Sequence, residues 1–395
     1  TLHDQFCAVP PNCYVDFSGV AAKVCRLHRS NSEERSNDQC RQSQVDVLVK
    51  EQRSAPPQTR SDFQSSVLNS CQRLIDYADG RTIVILLSDG YDSRLILAGL
   101  KQLNYPNLVT ATYGVAGNGV VERARDVAAK LAVPFYFIDY SDPAHAELML
   151  EVYPKLVSIA ANGQSVPQEQ EIFAAFQLRD LVPPDSILVP GISGDLQAGS
   201  YVPPFSFRWA FNRGGQALKR WLRTRLTRLP AAASVTSRWE KEIIITDQRE
   251  SELAAVYATE AIIVEERLNK YLCTTLRAYE LAGFDWYLPL WDKEFVDFWN
   301  RQPITSRRYR IDYREWCKTA FFQPLNIHFA GEGEKPRIHP GRIIRRFLPF
   351  GNQLAGGVPD PNEFSKTIAP LVGKEVAPTE VNAALGDWLI AYYSR

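Results

Sequence analysis

The chain has 395 residues, 45% of them hydrophobic and 23% charged, with 45 Lys plus Arg against 45 Asp plus Glu. That length buries a full core and holds one large or two ordinary domains, and the balanced charge removes any global pull on nucleic acid or an anionic membrane. No apolar run approaches the ~20 residues that span a bilayer, and the first residues lack the charged-then-apolar pattern of a signal peptide.

Residues 1 to about 60 read as irregular, with Pro10-Pro11-Asn12 ahead of a short β-like piece, Cys13–Phe17, and a Ser18-Gly19 turn. From Arg29 to Arg60 the composition is polar and charged and ends in Ala55-Pro56-Pro57, the pattern of a linker. Helical spacing of Phe63, Val67, Leu68, Cys71, Leu74 and Ile75 follows, with Asp62 as the expected cap. Thr82–Leu87 then runs as a buried strand into the polar loop Ser88-Asp89-Gly90-Tyr91-Asp92-Ser93, and Leu95–Leu100 continues with helical character. A second strand, Leu108–Tyr113, is closed by Gly114, Gly117 and Gly119; a helix spans Glu122–Leu131, and strands follow at Phe135–Ile138 and Ser186–Val189. Strands of continuous rather than alternating hydrophobicity, interleaved with helices, predict an α/β fold with a parallel sheet covered on both faces. Beyond Phe205 helix dominates to about Phe322, and a tail rich in Pro and Gly from Gly331 leads to an amphipathic stretch at Val381–Tyr392.

Seven scattered cysteines, Cys7, Cys13, Cys25, Cys40, Cys71, Cys273 and Cys317, form no C-x-x-C pair, and the five His lack ligand spacing. Reduced thiols in a cytoplasmic protein are expected, and structural zinc is not. The sequence begins at Thr1 rather than Met, so an upstream segment is expected to be missing or removed.

Ligands of an open parallel sheet sit beyond the carboxyl ends of its strands, at the switch in strand order. Here Ser88–Ser93 follows the first strand, Thr112-Tyr113-Gly114 ends the second, and Gly191-Ile192-Ser193-Gly194-Asp195 follows the fourth. The first and last of these each offer hydroxyls, a glycine N–H and a carboxylate, which suit phosphate oxygens and a Mg²⁺ shared by Asp92 and Asp195. Taken alone, each is equally a loop with a polar helix cap. The elbow-like Gly191–Asp195 lacks the final Gly of G-x-S-x-G and has no suitably placed His, and no P-loop pattern occurs.

The loop at Leu87–Arg94 resembles the Ser-Gly-Gly-x-Asp-Ser pyrophosphate loop of the ATP-pyrophosphatase superfamily. Over roughly residues 62–325 the chain is similar to the synthetase domain of the asparagine synthetase family, above all the branch found in bacterial polysaccharide gene clusters. The matching motifs, in order, are Leu87–Arg94, Thr112-Tyr113-Gly114 with the helix at Glu122, Ala161-Asn162-Gly163, Gly191–Gly199, and Arg267–Pro303. The last contains Leu288-Pro289-Leu290-Trp291-Asp292-Lys293-Glu294. The resemblance implies a parallel sheet of ATP-pyrophosphatase (adenine nucleotide alpha-hydrolase-like) type with a largely helical C-terminal half. It also implies an ATP-dependent amidoligase that activates a carboxylate as its acyl-adenylate, releases pyrophosphate and forms an amide with ammonia. The carboxylate would be aspartate or a glycan uronic acid. ATP and Mg²⁺ are the implied cofactors, with Leu87, Ser88, Gly90, Asp92, Ser93, Tyr113, Gly114, Ser193 and Gly194 at the nucleotide and Asp92 and Asp195 at the metal. Glu151 and Lys335 stand where family residues near the adenylate could fall. Residues 1–60 would be the remnant of a glutaminase-like domain plus linker, since Val9–Tyr14 resembles that domain's end; 61–330 the synthetase domain; and 331–395 an extension. No N-terminal Cys is present to hydrolyse glutamine, and a Thr1 nucleophile would have too little chain for its own domain, so ammonia would come from a separate or missing glutaminase.

Two positions depart from the family pattern. Asp89 replaces a Gly and puts a carboxylate beside the phosphates, to be compensated by Mg²⁺ or an Arg, with Arg94 adjacent to serve. Tyr287 replaces an Arg before Leu-Pro and leaves the substrate open. Lys219, Arg220, Arg223, Arg225 and Arg228 form a solvated face or a site for an anionic carrier or partner, while Trp286, Trp291 and Trp299 read as packing residues sooner than as a sugar platform. Loss of turnover, leaving a nucleotide-binding or scaffold protein of the same fold, is the rival expectation.

Overall fold

The computed structural model describes residues 58–140, 142, 144–161, 169–202, 272–329 and 332, scattered positions between 256 and 268, and the backbone of 13–16 and 23–26. The Asn162-Gly163 motif, the basic stretch at 219–228, Lys335 and the helix expected at 381–392 lie outside the described residues. Two compact units are formed, Thr1–Ser54 and Ala55–Arg395. In the first, β1 (Cys13–Asp16) pairs antiparallel with β2 (Lys23–Arg26), Cys13 opposite Arg26. The sequence reading had no strand at Lys23-Val24-Cys25-Arg26, a half-polar piece of four residues too short to show a period.

The second unit opens with α1 (Arg60–Ala78). Its cap corrects the expectation at Asp62: Thr59 is the extended residue before the helix, and its hydroxyl accepts the Asp62 N–H at 3.3 Å. Asp62 lies three residues further on and accepts the Thr59 N–H at 2.8 Å, which completes a reciprocal capping box. There follow β3 (Ile83–Leu86), α2 (Tyr91–Gln102), β4 (Leu108–Gly114), α3 (Gly119–Lys130), β5 (Phe135–Asp139), α4 (Ala144–Leu156), α5 (Glu169–Leu178) and β6 (Ile187–Pro190). The C-terminal part adds α6 (Cys273–Leu281), β7 (Asp285–Trp286), α7 (Lys293–Asn300), α8 (Ile304–Arg307), α9 (Ile311–Trp316) and a wide helical turn at Cys317–Phe322.

Five strands pair parallel in the order β5-β4-β3-β6-β7. The sequence reading missed β7, because its two residues, Asp285 and Trp286, are too few for any periodicity. Side chains along β3 alternate between two cores. Ile83 and Ile85 join Phe63, Val67, Leu95 and Trp299 on one face, whereas Val84 and Leu86 join Phe173, Leu178, Leu276 and Tyr279 on the other. With helices on both sides, every residue of the central strands β3 and β6 is buried whichever way it points, which is why they read as unbroken apolar runs.

The first core is aromatic. Phe63 lies 5.7 Å from Phe298, 5.8 Å from Trp299 and from Trp316, and 6.2 Å from Tyr313, centroid to centroid. Such pairs each add ~0.5–1.5 kcal/mol beyond simple burial. Trp299 is buried here, Trp291 packs beside Leu196 and Val256, and the Trp286 Nε1–H donates to Glu280 at 3.1 Å, so all three Trp serve packing. Among the described residues no helix is long and apolar enough to cross a membrane. The strand order reverses between β3 and β6, which sets a crevice beyond their carboxyl ends.

Candidate functional site

Two loops meet at that crevice. The first leaves β3 at Leu87, buried and tied to the sheet by its N–H to the Ala111 carbonyl at 2.8 Å. Gly90, extended, precedes α2, and the turn is braced internally: the Ser93 hydroxyl accepts the Ser88 N–H at 3.0 Å, and the Ser88 hydroxyl accepts the Gly90 N–H at 3.1 Å. The second loop leaves β6 through Gly191 and Ile192 to Ser193, which is buried with φ 76 and donates its hydroxyl to the Ile192 carbonyl at 2.7 Å.

Two glycines allow the loops to touch. A Cβ on Gly191 would lie 2.7 Å from the Ser93 nitrogen, and one on Gly194 would lie 2.6 Å from Leu290 Cδ1 and 3.0 Å from Asp92 Cγ. Real Cβ atoms do not approach so closely, so a side chain at Gly191 would force the loops apart, and one at Gly194 would displace the Leu290, Tyr313 and Asp92 side chains.

Asp92 closes the contact. It begins α2 and is 9% exposed, and its Oδ2 accepts the Asp195 N–H at 3.0 Å while Oδ1 accepts the Tyr313 hydroxyl at 2.6 Å. Tyr313 is packed against Phe63 and Trp299, so the aromatic core fixes the carboxylate's orientation. Burial first, and the Asp195 charge second, push the Asp92 carboxyl up to about 7; the bonds from Tyr313 and the Asp195 N–H, and the Arg310 charge, pull the other way. The Asp195 carboxylate is more open and accepts Arg310 Nη1 at 3.0 Å. Arg310 has φ 57 and follows Tyr309 at φ 65, two consecutive non-glycine residues in the left-handed region, a costly conformation found where the surroundings impose it.

Arg94, two residues after Asp92 in α2, is committed to the protein interior. Its guanidinium is fully buried and donates to the Gly90 carbonyl at 2.9 Å, to the Ile327 carbonyl at 3.1 Å and to both Glu332 carboxylate oxygens. It also lies 4.5 Å from the Phe322 ring centre and 4.3 Å from that of Phe329. The expectation that Arg94 neutralises Asp89 is therefore corrected, because α2 turns the Arg94 side chain inward. Asp89 is held instead by Arg123 of α3, whose Nε donates to Oδ2 at 2.9 Å and whose Nη2 donates to the same oxygen.

The remaining expected residues lie in varied settings. The Tyr113 hydroxyl donates to Glu171 within the second core, and Glu171 also accepts the Tyr279 hydroxyl at 2.7 Å. Burial, the largest influence, raises the Glu171 carboxyl, and the two tyrosine donors oppose it. Gly114 ends β4, and its carbonyl accepts the Tyr140 N–H at 2.8 Å. Glu151 is exposed on α4 and pairs with Lys155 at 2.9 Å, one turn on. Tyr287 is half-buried and packs against Tyr77 at 5.3 Å. Sequence reasoning missed Tyr313, Arg310, Arg123 and Glu332. Each reaches the site from a distant stretch of chain with no local motif to mark it.

Asp92 and Asp195 lie close enough for the charge of one to raise the carboxyl of the other, and the Arg310 charge works against that rise. Among the described residues no three His, Cys, Asp or Glu side chains group to hold a metal alone. A Mg²⁺ held by these two would fill its shell with phosphate oxygens and water, which that ion favours. No protein-family model matches this chain, and no curated protein matches it.

Proposed function

We propose that this protein is an ATP-dependent amide-forming ligase of asparagine synthetase type, its parallel sheet being an ATP-pyrophosphatase fold. One observation carries the reading: at the strand-order switch, Asp92 of the first loop accepts the Asp195 N–H of the second at 3.0 Å, bringing two carboxylates and the hydroxyls of Ser88 and Ser93 to one crevice. ATP would lie across both loops as substrate, and Asp92 and Asp195 would hold a Mg²⁺, whose chemistry there is neutralisation of phosphate charge. The Ser88 and Ser93 hydroxyls bond phosphate oxygens, and Arg310 adds positive charge at the second loop. A substrate carboxylate oxygen attacks the α-phosphorus, the bond to the β-phosphate oxygen breaks, and pyrophosphate leaves. Ammonia then attacks the acyl carbon, AMP departs, and the nitrogen loses a proton to give the amide. The protein positions the reactants and offsets developing charge rather than forming a bond of its own. Aspartate or a glycan uronic acid is the carboxylate, and ammonia arrives free or from a separate glutaminase.

The test is pyrophosphate and AMP release from Mg·ATP with aspartate or glucuronic acid, each with ammonium. Matched pyrophosphate, AMP and amide support the ligase. Release of ADP and inorganic phosphate would sink it. A second reading, a nucleotide-binding protein without turnover, draws on Asp89 and on the ion pair between Arg310 and Asp195. Tight Mg·ATP binding with no pyrophosphate from either carboxylate would favour it.

A further inference from the structure

Asp89 sits between the two residues of the first loop best suited to phosphate, Ser88 and Gly90, so its charge opposes any anion there. The structure supplies a counter-charge from another element. Arg123, in the second turn of α3, donates through Nε at 2.9 Å and through Nη2 to one oxygen of Asp89. Gly119 at the start of α3 leaves room for it, since a Cβ there would lie 3.2 Å from Arg123 Nη1. Arg94, the neighbouring arginine, is committed to Gly90, Ile327 and Glu332 beneath the loop.

Arg123 also keeps capacity to spare. A guanidinium carries five N–H donors in a planar fork that matches phosphate oxygens, and Asp89 engages two of them. The pair is at the rim, with side chains 46% exposed for Arg123 and 25% for Asp89, so an incoming anion reaches it without unpacking the core.

We propose that Arg123 is a polyphosphate-binding residue of this site, which cancels the Asp89 charge and turns its remaining donors to the bound phosphates. The inference rests on the reading of the crevice as a nucleotide site. It makes Asp89 and Arg123 a unit in which the loop's backbone and hydroxyls are supplemented by an arginine from the next helix.

A double-mutant cycle tests it, with calorimetric titration of inorganic pyrophosphate in excess Mg²⁺ into the full chain. Wild type, Arg123→Gln, Asp89→Asn and the double variant are compared, with far-UV circular dichroism to confirm folding. Losing charge-assisted donors while leaving Asp89 uncompensated should weaken binding by about tenfold or more in Arg123→Gln. Removing the Asp89 charge as well should recover part of that loss, and Arg123→Lys should fall between wild type and Gln. Binding by Arg123→Gln within about twofold of wild type, or an equal loss with and without the Asp89 carboxylate, would overturn the inference and leave the site reading standing. No binding by wild type would overturn the site reading itself, and the inference with it.

Discussion

In the first loop Asp92 is buried against the Tyr313 hydroxyl, and Arg94 lies among aromatic rings and pairs with Glu332 at side-chain exposures of 0% and 12%. At the rim the same kinds of group meet in the open: Asp89 with Arg123, and Asp195 with Arg310, where side-chain exposures run from 25% to 46%. The bonds are similar and their surroundings are not. Among the buried groups, the floor, a lost partner leaves a charge with no water to solvate it, whereas at the rim water and salt take over. Arg94 thus ties the first loop to Ile327 and Glu332, and the rim pairs are open to exchange partners when a ligand arrives.

The sharpest way to break this comparison is at Arg94. Arg94→Met removes the cationic side of a buried pair and the guanidinium bonds to the Gly90 and Ile327 carbonyls, so the unfolding free energy should fall by ~3–5 kcal/mol. Denaturant titration reads it. A loss under about 1 kcal/mol would place Arg94 energetically with the rim.

The next effect is pH-dependent and belongs to Asp92. Burial pushes its carboxyl up to about 7 in the folded protein, above the ordinary aspartate value of 3.8, so the folded state holds that proton more tightly than the unfolded state. The stability linked to it is fully present below the unfolded value and is lost as pH rises through the folded one. Between about pH 4 and 7, stability of the wild type should therefore decline relative to Asp92→Asn, which cannot titrate. A wild-type-minus-variant difference that stays constant over that range would show that Asp92 ionises as an ordinary surface carboxylate.

Much of the floor's framework was legible in the sequence and almost none of its wiring. β3, β4 and β6 are buried on both faces, so their apolar runs stood out, and the loops after β3 and β6 could be placed at strand ends before any geometry was known. Asp92 and Asp195 share a loop pair because the strand order brings β3 beside β6, an adjacency that apolar runs with polar ends do not disclose. Tyr313 is different. It lies 221 positions from Asp92 along the chain, on a helix of six residues, and only the packing of α9 against Phe63 turns its hydroxyl toward the carboxylate. Arg94 misled for a related reason: adjacency in sequence suggested Asp89, but the helical turn sends the side chain to the opposite side of the loop. β7 was invisible because two residues have no period, although its place at the sheet edge follows once β6 is formed.

A finer probe of the floor is Tyr313→Phe, which keeps the ring and deletes the donor to Asp92. Loss of that bond should cost ~1–3 kcal/mol at neutral pH, because a buried acceptor is left without its partner. It should also raise the Asp92 carboxyl further, since the hydroxyl favours the charged form. The pH window of the Asp92-linked decline should then extend upward. Unchanged stability and an unchanged window would mean that the hydroxyl contributes nothing to holding the carboxylate.

The smallest expected effect on stability is at the rim, and its smallness is the informative outcome. Arg123→Gln removes an ion pair whose partners are both solvent-accessible, with Arg123 nearly half exposed. Exposed pairs contribute ~0.2–1 kcal/mol and are screened by salt, so the unfolding midpoint should move little and the difference should fade as sodium chloride is raised. A stability loss matching that of Arg94→Met would show that the Asp89–Arg123 pair braces the fold, and the division between floor and rim would fail. A small, salt-sensitive change would leave Asp89 and Arg123 as a pair held for the ligand rather than for the fold, because the loop they flank is already braced by Ser88, Ser93 and the bonds beneath Gly90.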